Sequence, residues 1–346
     1  MINTEKRSAR FGAAILLFSL LLRLFGGAAM PQAQAEGFSP HRPVGGISVG
    51  TGPSQPTQTV PTIPTLLPVG PTVPTVPPQP TLPPLPPQPP GITFFATDLD
   101  YVKFRYATDC SYRTELEPLL LQPLRWQLDD GQPTVLIVHS HATESFTKEP
   151  GQTYKESSDY RTENPDYNMV AVGDALAALL RDRGIAVVHD RQLHDSPSYS
   201  ASYTNSRKSV EEYLAEYPSI KIVLDLHRDA ALNADGTQYA TSATVNGEKS
   251  AQLMLLAGSD SYSGYHPGWK ENLSLALKLQ VLLEKGCPGI TRRTVLRGGV
   301  FNQDLCSGML IVEVGAAGNT LTEAMRAMLP LADAIAALKN GANCEG

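Results

Sequence analysis

The sequence predicts an α/β protein with a mainly parallel central sheet and helices on both of its faces. From about residue 93 onward, short apolar runs rich in β-branched residues alternate with longer segments of helical periodicity. Two of the helical segments are polar on one face, as helices that cover a sheet from outside should be. This alternation is typical of parallel strands joined by helices.

The first half of this region predicts three strands and two helices. The strands lie in "PTVLIVHS" (133–140), "IAVVHD" (185–190) and "IKIVLDLHRD" (220–229). The helix between the first two strands places its apolar residues at helical spacing, and Gly184 suits its end. The second helix, "SYTNSRKSVEEYLAEYP" (202–218), is amphipathic and ends before its proline.

The second half predicts a hairpin, two helices and two more strands of the sheet. An Asn-Gly pair at 246–247 is the signature of a two-residue hairpin turn. A helix is predicted over residues 269–286, a strand around Ile290–Leu296, and a strand in "MLIVEVG" (309–315). One last helix is expected from about Thr320 to Leu338.

Residues 1–36 are predicted to form a cytoplasmic tip and a membrane segment. The apolar run "FGAAILLFSLLLRLFGGAA" (11–29) follows a basic cluster and is about as long as a membrane span requires. It is either an uncleaved anchor or a signal peptide cut after the "AQA" that ends at Ala35. We expect the anchor, and in both cases the remainder of the chain is exported.

Residues 37–92 are predicted to be a disordered, proline-rich linker ahead of the domain at 93–346. Of the 29 prolines in the chain, 16 lie between Pro53 and Pro90, a density that excludes helices and sheet interiors. Such a segment favours extended polyproline II and reaches on the order of 100 Å. It would hold a membrane-tethered domain far from the bilayer. A PxxP ligand for a partner module is the alternative.

The overall charge excludes one class of partner. The formal net charge is −6 and no basic stripe is visible, so nucleic acid is not expected as a ligand. The four cysteines have no CxxC spacing, so no thiolate zinc site is predicted.

Polar side chains gather where three predicted strands end. His139, His141 and Glu144 follow the first strand, and His227 lies near the end of the third. Glu313 lies in the last apolar strand, shortly before its end. Because the carboxyl ends of parallel strands meet at one edge of a sheet, we expect these side chains to lie close together.

Taken singly, most of these residues have simpler explanations. His227 could bond to backbone at a strand end, Glu144 could cap the next helix, and His139 could be a core histidine. Glu313 is harder to explain, because a carboxylate in an apolar strand is costly to bury unless it is paired or near a cation. The joint pattern therefore favours a site.

Two imidazoles and a carboxylate are a common ligand set for catalytic zinc, with a fourth position open to water. The metal lowers the pKa of that water and supplies a hydroxide nucleophile. Glu313, with a pKa raised by its apolar strand, is placed to carry the proton to a leaving amine. Asp195, Asp225 and Asp229 are candidate partners for the imidazoles. The pattern predicts a metallohydrolase.

Four segments resemble the stage II sporulation protein P family, cell-wall hydrolases of endospore-forming bacteria. The similarity covers roughly residues 95–340, and its segments are "HSHATESF" (139–146), "NMVAVGDAL" (168–176), "VLDLHRDA" (223–230) and "LIVEVGAAGNTLTEA" (310–324). The family is related to zinc-dependent N-acetylmuramoyl-L-alanine amidases. The resemblance implies zinc (Zn2+) as cofactor, His141 and His227 as ligands, and Glu313 as the catalytic residue.

The resemblance leaves the remaining ligand open. In the sporulation family the glutamate of the "TES" segment, Glu144 here, is the better match, and we expect it to be the third ligand. The wider amidases place theirs farther along the chain, near Glu156 and Glu163. His139 could also replace His141, because local spacing does not separate the two.

The resemblance further implies cleavage of peptidoglycan at the amide between N-acetylmuramic acid and L-alanine, and also at peptide cross-links. Family members act in forespore engulfment beside the stage II sporulation proteins D, a lytic transglycosylase, and M. The domain would lie outside the cytoplasm, between the mother-cell and forespore membranes. Two alternatives remain: a non-catalytic wall-binding domain that recruits the transglycosylase, and a zinc carboxypeptidase acting on stem peptides.

Overall fold

The computed structural model describes residues 91–124, 126–128 and 131–345. The predictions for the membrane segment and for the linker up to residue 90 lie outside these residues. Within the described ranges, no helix combines the length and the apolar character needed to cross a membrane.

The described residues form eleven strands and six α-helices. The strands are β1 (Ile92–Phe95), β2 (Phe104–Tyr106), β3 (Val135–Val138), β4 (Val187–His189), β5 (Ile222–Asp229), β6 (Ala243–Val245), β7 (Glu248–Ser250), β8 (Leu253–Ala257), β9 (Thr294–Leu296), β10 (Met309–Ala316) and β11 (Ala342–Glu345). The helices are α1 (Glu117–Leu120), α2 (Met169–Asp182), α3 (Ser202–Glu216), α4 (Trp269–Gly286), α5 (Leu321–Arg326) and α6 (Met328–Ala337).

Seven of these strands make one sheet in the order β2-β9-β8-β10-β5-β3-β4. Every neighbouring pair in it is parallel except β10 and β8, which run antiparallel. The predicted mainly parallel sheet is therefore confirmed. Strands β3, β5 and β10 run in the same direction, so their carboxyl ends lie at one edge. The predicted hairpin is also confirmed, with Asn246 and Gly247 at positive φ between β6 and β7.

Side chains alternate between the two faces of the sheet. On β10, Leu310, Val312 and Val314 point into the larger core, which contains the apolar sides of α2, α4 and α6. The opposite face carries Met309 and Glu313. Helices lie on both faces, as predicted, because α3 packs on this second face.

Helix α3 covers only part of the second face. Its Val210 packs with Leu136 and Val138 of β3 and with Val223 of β5. Farther along the same face, over β8 and β9, side chains line an open cleft instead. This partial cover leaves the face of the sheet beside Glu313 accessible.

Helix α4 departs from its predicted environment. The pattern predicts a helix with one polar face toward solvent, but Lys278, Gln280 and Glu284 are buried. The chain ahead of β3 covers them: the Lys103 backbone N–H donates to Gln280 Oε1 at 3.0 Å, and Lys278 Nζ donates to the carbonyl of Leu120 at 2.5 Å. Their cover comes from more than 150 residues away in the sequence, so periodicity within the helix could not reveal it.

The prediction of one final helix is also wrong, because the segment forms two. Helix α5 ends at Arg326 and α6 begins at Met328. Pro330 explains the break, since in a continuous helix its ring would collide with the carbonyl of Arg326. Pro330 is the third residue of α6, where a backbone N–H would have no partner within the helix, so the missing N–H of proline costs no hydrogen bond.

The two ends of the described chain pair with each other. Strand β1 lies parallel to β11, with Ile92 opposite Ala342. Beside this ladder, a cavity of about 570 Å³ is lined by Trp126, Asn340 and Lys221, the last of which precedes β5. The ladder therefore lies near the amino end of β5.

Asn319→Ala is expected to lower the free energy of unfolding by about 2–4 kcal/mol, measured by urea denaturation. Asn319 is fully buried and accepts hydrogen bonds from the backbone N–H groups of Thr241 and Ala316. It also donates to the Thr241 carbonyl and to Glu323. Alanine would leave these groups unsatisfied. Asn233→Ala, at an exposed turn, is the control, and an equal loss there would contradict the argument.

Candidate active site

Four predicted site residues meet at the carboxyl ends of β3, β5 and β10. Glu313 lies directly opposite His227 in the β10–β5 register. The rings of His141 and His227 are 5.3 Å apart between centroids and nearly perpendicular. Glu144 Oε2 lies 3.7 Å from His227 Nδ1. The structure therefore brings His141, Glu144, His227 and Glu313 together.

His227 is surrounded by carboxylates. Its Nε2 lies 2.9 Å from Asp225 Oδ1, a charge contact whose direction does not make a hydrogen bond to the ring nitrogen. Burial alone would lower the pKa of His227, but Asp225, Glu144 and Glu313 outweigh it and raise the pKa to about 10. Asp225 is itself fixed by the backbone N–H and hydroxyl of Ser140, at 2.7 and 2.6 Å. The surroundings of His227 are therefore strongly favourable to a cation.

His141 lies between an aromatic ring and a carboxylate. Its ring stacks on Tyr199 with centroids 4.4 Å apart, and its Nδ1 lies 3.9 Å from Asp195 Oδ2 without a hydrogen bond. Burial lowers the pKa of His141 to about 4. The ring is therefore neutral near pH 7, which is the form of imidazole that binds metals.

Glu144 is an ionised carboxylate held by cations. Its Oε2 accepts a hydrogen bond from the Arg228 backbone N–H at 3.0 Å, and its Oε1 accepts one from Arg161 at 3.3 Å. Burial would raise the pKa of Glu144, but Arg228, the two histidines and Arg161 together lower it.

Glu313 is the least satisfied carboxyl of the cluster. The residue keeps partial solvent access, but its Oε2 is buried and has no hydrogen-bond partner among the described residues. Burial raises the pKa of Glu313 to about 7, although the charge of His227 opposes the shift. A carboxyl of this pKa exchanges protons readily near neutral pH.

The alternative ligands lie elsewhere. His139 is fully buried, with Nδ1 3.1 Å from the Leu226 carbonyl and Nε2 2.8 Å from His189 Nε2, so both ring nitrogens are engaged. Glu156 is exposed and pairs with Lys148, and Glu163 is exposed and accepts a hydrogen bond from Ser196. Among the three carboxylates left open by the sequence, Glu144 is the one that adjoins a site histidine.

Two of the three aspartates predicted as partners of the imidazoles approach a site histidine, and the third does not. Asp225 contacts His227 and Asp195 approaches His141, as expected. Asp229 instead pairs with Arg292 at 2.7 Å. It is the last residue of β5, lies opposite Ala316 of β10, and lines the cleft beside Glu313.

Three residues of the site were not predicted. Arg161 contacts both Glu144 and Asp195 and lies over the ring of Tyr199. Tyr203 is half-buried beside His141 and His227. Tyr199, in the turn just before α3, and Tyr203, in its first turn, are four residues apart, and this spacing was the available signal, but it is equally typical of an ordinary helix surface.

The donor atoms are chemically suited to zinc. His141 Nδ1, His227 Nε2 and Glu313 Oε2 are buried at this edge without hydrogen-bond partners in the described chain. Unpaired buried nitrogen and oxygen atoms are costly unless a ligand satisfies them. No three His, Cys, Asp or Glu side chains of the described residues stand in the positions of a formed metal site. The cluster therefore suits zinc by the type of its donor atoms and by its charge.

Glu313→Gln is expected to stabilise the zinc-free protein, by on the order of 1–3 kcal/mol at pH 8 and much less at pH 4.5. The pKa of Glu313 rises from an ordinary 4.5 to about 7 in the folded protein. The folded state thus binds the proton more tightly, and its stability falls as the pH rises through this interval. Glutamine does not titrate, so it avoids the loss. Urea unfolding at both pH values checks this.

Glu115→Gln, which replaces an exposed carboxylate, is the control. A gain for Glu313→Gln that is equal at the two pH values would show that ionisation of Glu313 is not its cause.

The fold and the site define a class: an α/β protein with a His–Glu cluster at the carboxyl ends of its central parallel strands. Comparison of sequences is more specific. The sequence profile of the family described as "Stage II sporulation protein P (SpoIIP)" matches residues 96–336. The chain belongs to this family, and the resemblance seen in the sequence is confirmed.

A curated relative is the stage II sporulation protein P of Bacillus subtilis (strain 168). It is 30% identical over 219 residues, which are 60% of this chain and 51% of the relative. The chain therefore spans about half the length of that relative.

The fold is similar to solved structures of lower sequence identity. The N-acetylmuramoyl-L-alanine amidase AmiC2 of Nostoc punctiforme is 14% identical, with 60% of this chain and 95% of that chain covered and a TM-score of 0.35. The CwlD amidase of Clostridioides difficile, solved with the GerS lipoprotein, is 12% identical, with coverage of 58% and 96% and a TM-score of 0.37.

Proposed function

We propose that the protein is a zinc-dependent peptidoglycan hydrolase that cleaves the amide between N-acetylmuramic acid and L-alanine. The observation that carries the proposal is the meeting of His141, His227 and Glu313 at one sheet edge, each with a buried atom that lacks a hydrogen bond within the described residues. Membership of the sporulation family supports the substrate class.

His141, His227 and Glu144 are the residues that would hold the metal. The two imidazoles offer neutral nitrogen donors once the proton on His227 is displaced, and Glu144 offers an ionised carboxylate. Asp225 and Asp195 lie 2.9 and 3.9 Å from His227 Nε2 and His141 Nδ1, and these contacts limit the orientations of the two rings. When bound, zinc supplies Lewis-acid activation of water and of the scissile carbonyl.

Glu313 would move the proton. With its carboxylate form present near pH 7, it accepts a proton from the attacking water and then donates that proton to the nitrogen of the leaving L-alanine. Burial raises the pKa of Glu313 to about 7, with His227 opposing the shift and Asp229 adding to it, so that both forms of the carboxyl are present near neutral pH. The amide bond breaks, and the amine leaves neutral.

The setting of this activity is part of the same proposal. The hydrolase would act in engulfment beside the stage II sporulation proteins D and M, and would also cut peptide cross-links. An N-terminal anchor and the proline-rich linker would hold it to the membrane outside the cytoplasm, in the space between mother cell and forespore.

A non-catalytic wall-binding domain that recruits the transglycosylase is the second candidate. The observation in its favour is that Glu144 is already held by Arg228 and Arg161, so the ligand set is not free.

One digestion experiment distinguishes the zinc-dependent hydrolase from the wall-binding domain. The full chain, purified in detergent, would be incubated with purified peptidoglycan, with and without a zinc chelator, and the products identified by mass spectrometry. Chelator-sensitive release of stem peptides that begin with L-alanine supports the amidase. Binding to the wall without release, even with added zinc, supports the second candidate, and free D-alanine would indicate a carboxypeptidase.

A further inference from the structure

A cleft of about 270 Å³ opens beside Glu313 on the face of the sheet that α3 leaves uncovered. The strand register defines its floor. Glu313 lies opposite Met254 on β8, Leu256 on that strand lies opposite Val295 of β9, and Val295 lies opposite Arg105 of β2. Paired residues, and residues two apart on one strand, point to the same face, so these side chains form an oblique row from Glu313 to the edge strand β2 that shifts by two residues along β8.

The charged side chains that line the cleft differ in whether they have an ion-pair partner. Arg297 is paired with Asp109 at 2.8 Å, and Asp229 is paired with Arg292. Arg105 is exposed at the end of the row, and no carboxylate of the described residues pairs with it. The end of the cleft away from Glu313 therefore carries a guanidinium available to an anion.

We propose that this cleft binds the peptide side of the substrate and that Arg105 pairs with a carboxylate of the stem peptide. The inference rests on the proposed hydrolase function and specifies its substrate. Stem peptides of peptidoglycan carry free carboxylates beyond their first residue. Arginine recognises a carboxylate through two parallel hydrogen bonds, which gives specificity as well as attraction.

The length of the row agrees with such a peptide. Strand β2 is three strands from β10, about 14 Å across the sheet, and the shift of two residues along β8 adds about 7 Å along the strands, so the path is about 16 Å long. An extended peptide advances about 3.3–3.6 Å per residue, so this distance spans about four to five residues. With the scissile amide at Glu313, the third or fourth residue of the stem reaches Arg105.

The other side of the site differs in chemistry. Tyr199, which is 54% exposed, stacks on His141 toward the β3 side of the sheet. An aromatic ring at that end and a guanidinium at the other give the groove a direction. The glycan lies toward Tyr199 and the peptide lies toward Arg105.

The test compares two soluble muramoyl tetrapeptides as substrates of the full chain. One carries free carboxylates on its third and fourth residues, and in the other these groups are amidated. Arg105→Ala is expected to raise KM about tenfold for the free acid with kcat unchanged, and to leave the amidated substrate unaffected. Arg105→Lys keeps the charge but not the paired hydrogen bonds, so it recovers part of the loss.

Arg181→Ala is the matched control, because Arg181 is an exposed arginine of α2 beside β4, at the opposite edge of the sheet. An equal effect of Arg105→Ala on both substrates, or none on either, would overturn the inference while the hydrolase function stands.

Binding of the fluorescently labelled free-acid tetrapeptide, followed by anisotropy, is measured in parallel. Wild-type protein that cleaves neither substrate would refute the hydrolase, and the binding curves still decide about the cleft. A Kd about tenfold weaker in Arg105→Ala than in wild type and Arg181→Ala supports the carboxylate subsite. Equal affinities in all three refute it.

Discussion

Glu313→Gln is expected to lower the turnover of the muramoyl amide by about a thousandfold while the bound zinc stays at the wild-type level. The glutamine has the same shape but accepts no proton, and general acid–base catalysis of this kind is worth about 10²–10⁴-fold. Zinc content, measured by elemental analysis of the purified variant, should not change, because Glu313 is not among the proposed ligands. The rate is followed by release of stem peptides.

Glu156→Gln and Glu163→Gln are the matched controls, since both residues are exposed glutamates that the sequence left open as ligands. Both variants should keep zinc and activity. Near-normal turnover in Glu313→Gln would show that another group carries the proton.

His227→Ala and His141→Ala are each expected to lose zinc, from about one ion per chain toward none, together with all measurable cleavage. Each substitution removes one of the two nitrogen donors, and two protein ligands seldom hold zinc. His227→Ala also leaves Asp225 buried without its cationic partner, so circular dichroism must show that the variant is folded. If His227→Ala does not fold, His227→Gln replaces it in the test, because glutamine keeps a polar group next to Asp225.

His139→Asn separates the two histidines that local spacing could not. Because both nitrogens of His139 already face the Leu226 carbonyl and His189, we expect the variant to keep zinc and to lose stability instead. Loss of zinc in His139→Asn but not in His141→Ala would reverse the ligand assignment.

The sequence was informative where local patterns decide the structure. Strands β3, β5 and β10 are apolar runs bounded by polar or turn-forming residues. The Asn-Gly pair favours a two-residue hairpin turn by itself. The direction shared by β3 and β5 follows from the helices between them, whereas β10 reaches the same direction after β8 and β9, which run the opposite way. From it came the prediction that His141, His227 and Glu313 approach one another, which the structure shows.

What could not be predicted depends on contacts between distant residues. The polar side of α4 is covered by the chain ahead of β3, and Arg161 reaches Glu144 and Asp195 from a loop. Alternation along β10 shows which face Glu313 occupies but not what covers that face. The cleft beside it exists because α3 stops short, a property of packing that no single segment encodes.

The pairing of β1 with β11 fixes where the described chain begins relative to the site. Lys221, at the amino end of β5, lines the cavity beside that ladder, whereas His227 lies six residues farther along the strand, about 20 Å away. Residue 91, where the described chain begins, therefore lies at the end of the domain away from His227. A surface or bead coupled through this end would leave the carboxyl ends of β3, β5 and β10 facing outward, toward an insoluble substrate too large to diffuse to them.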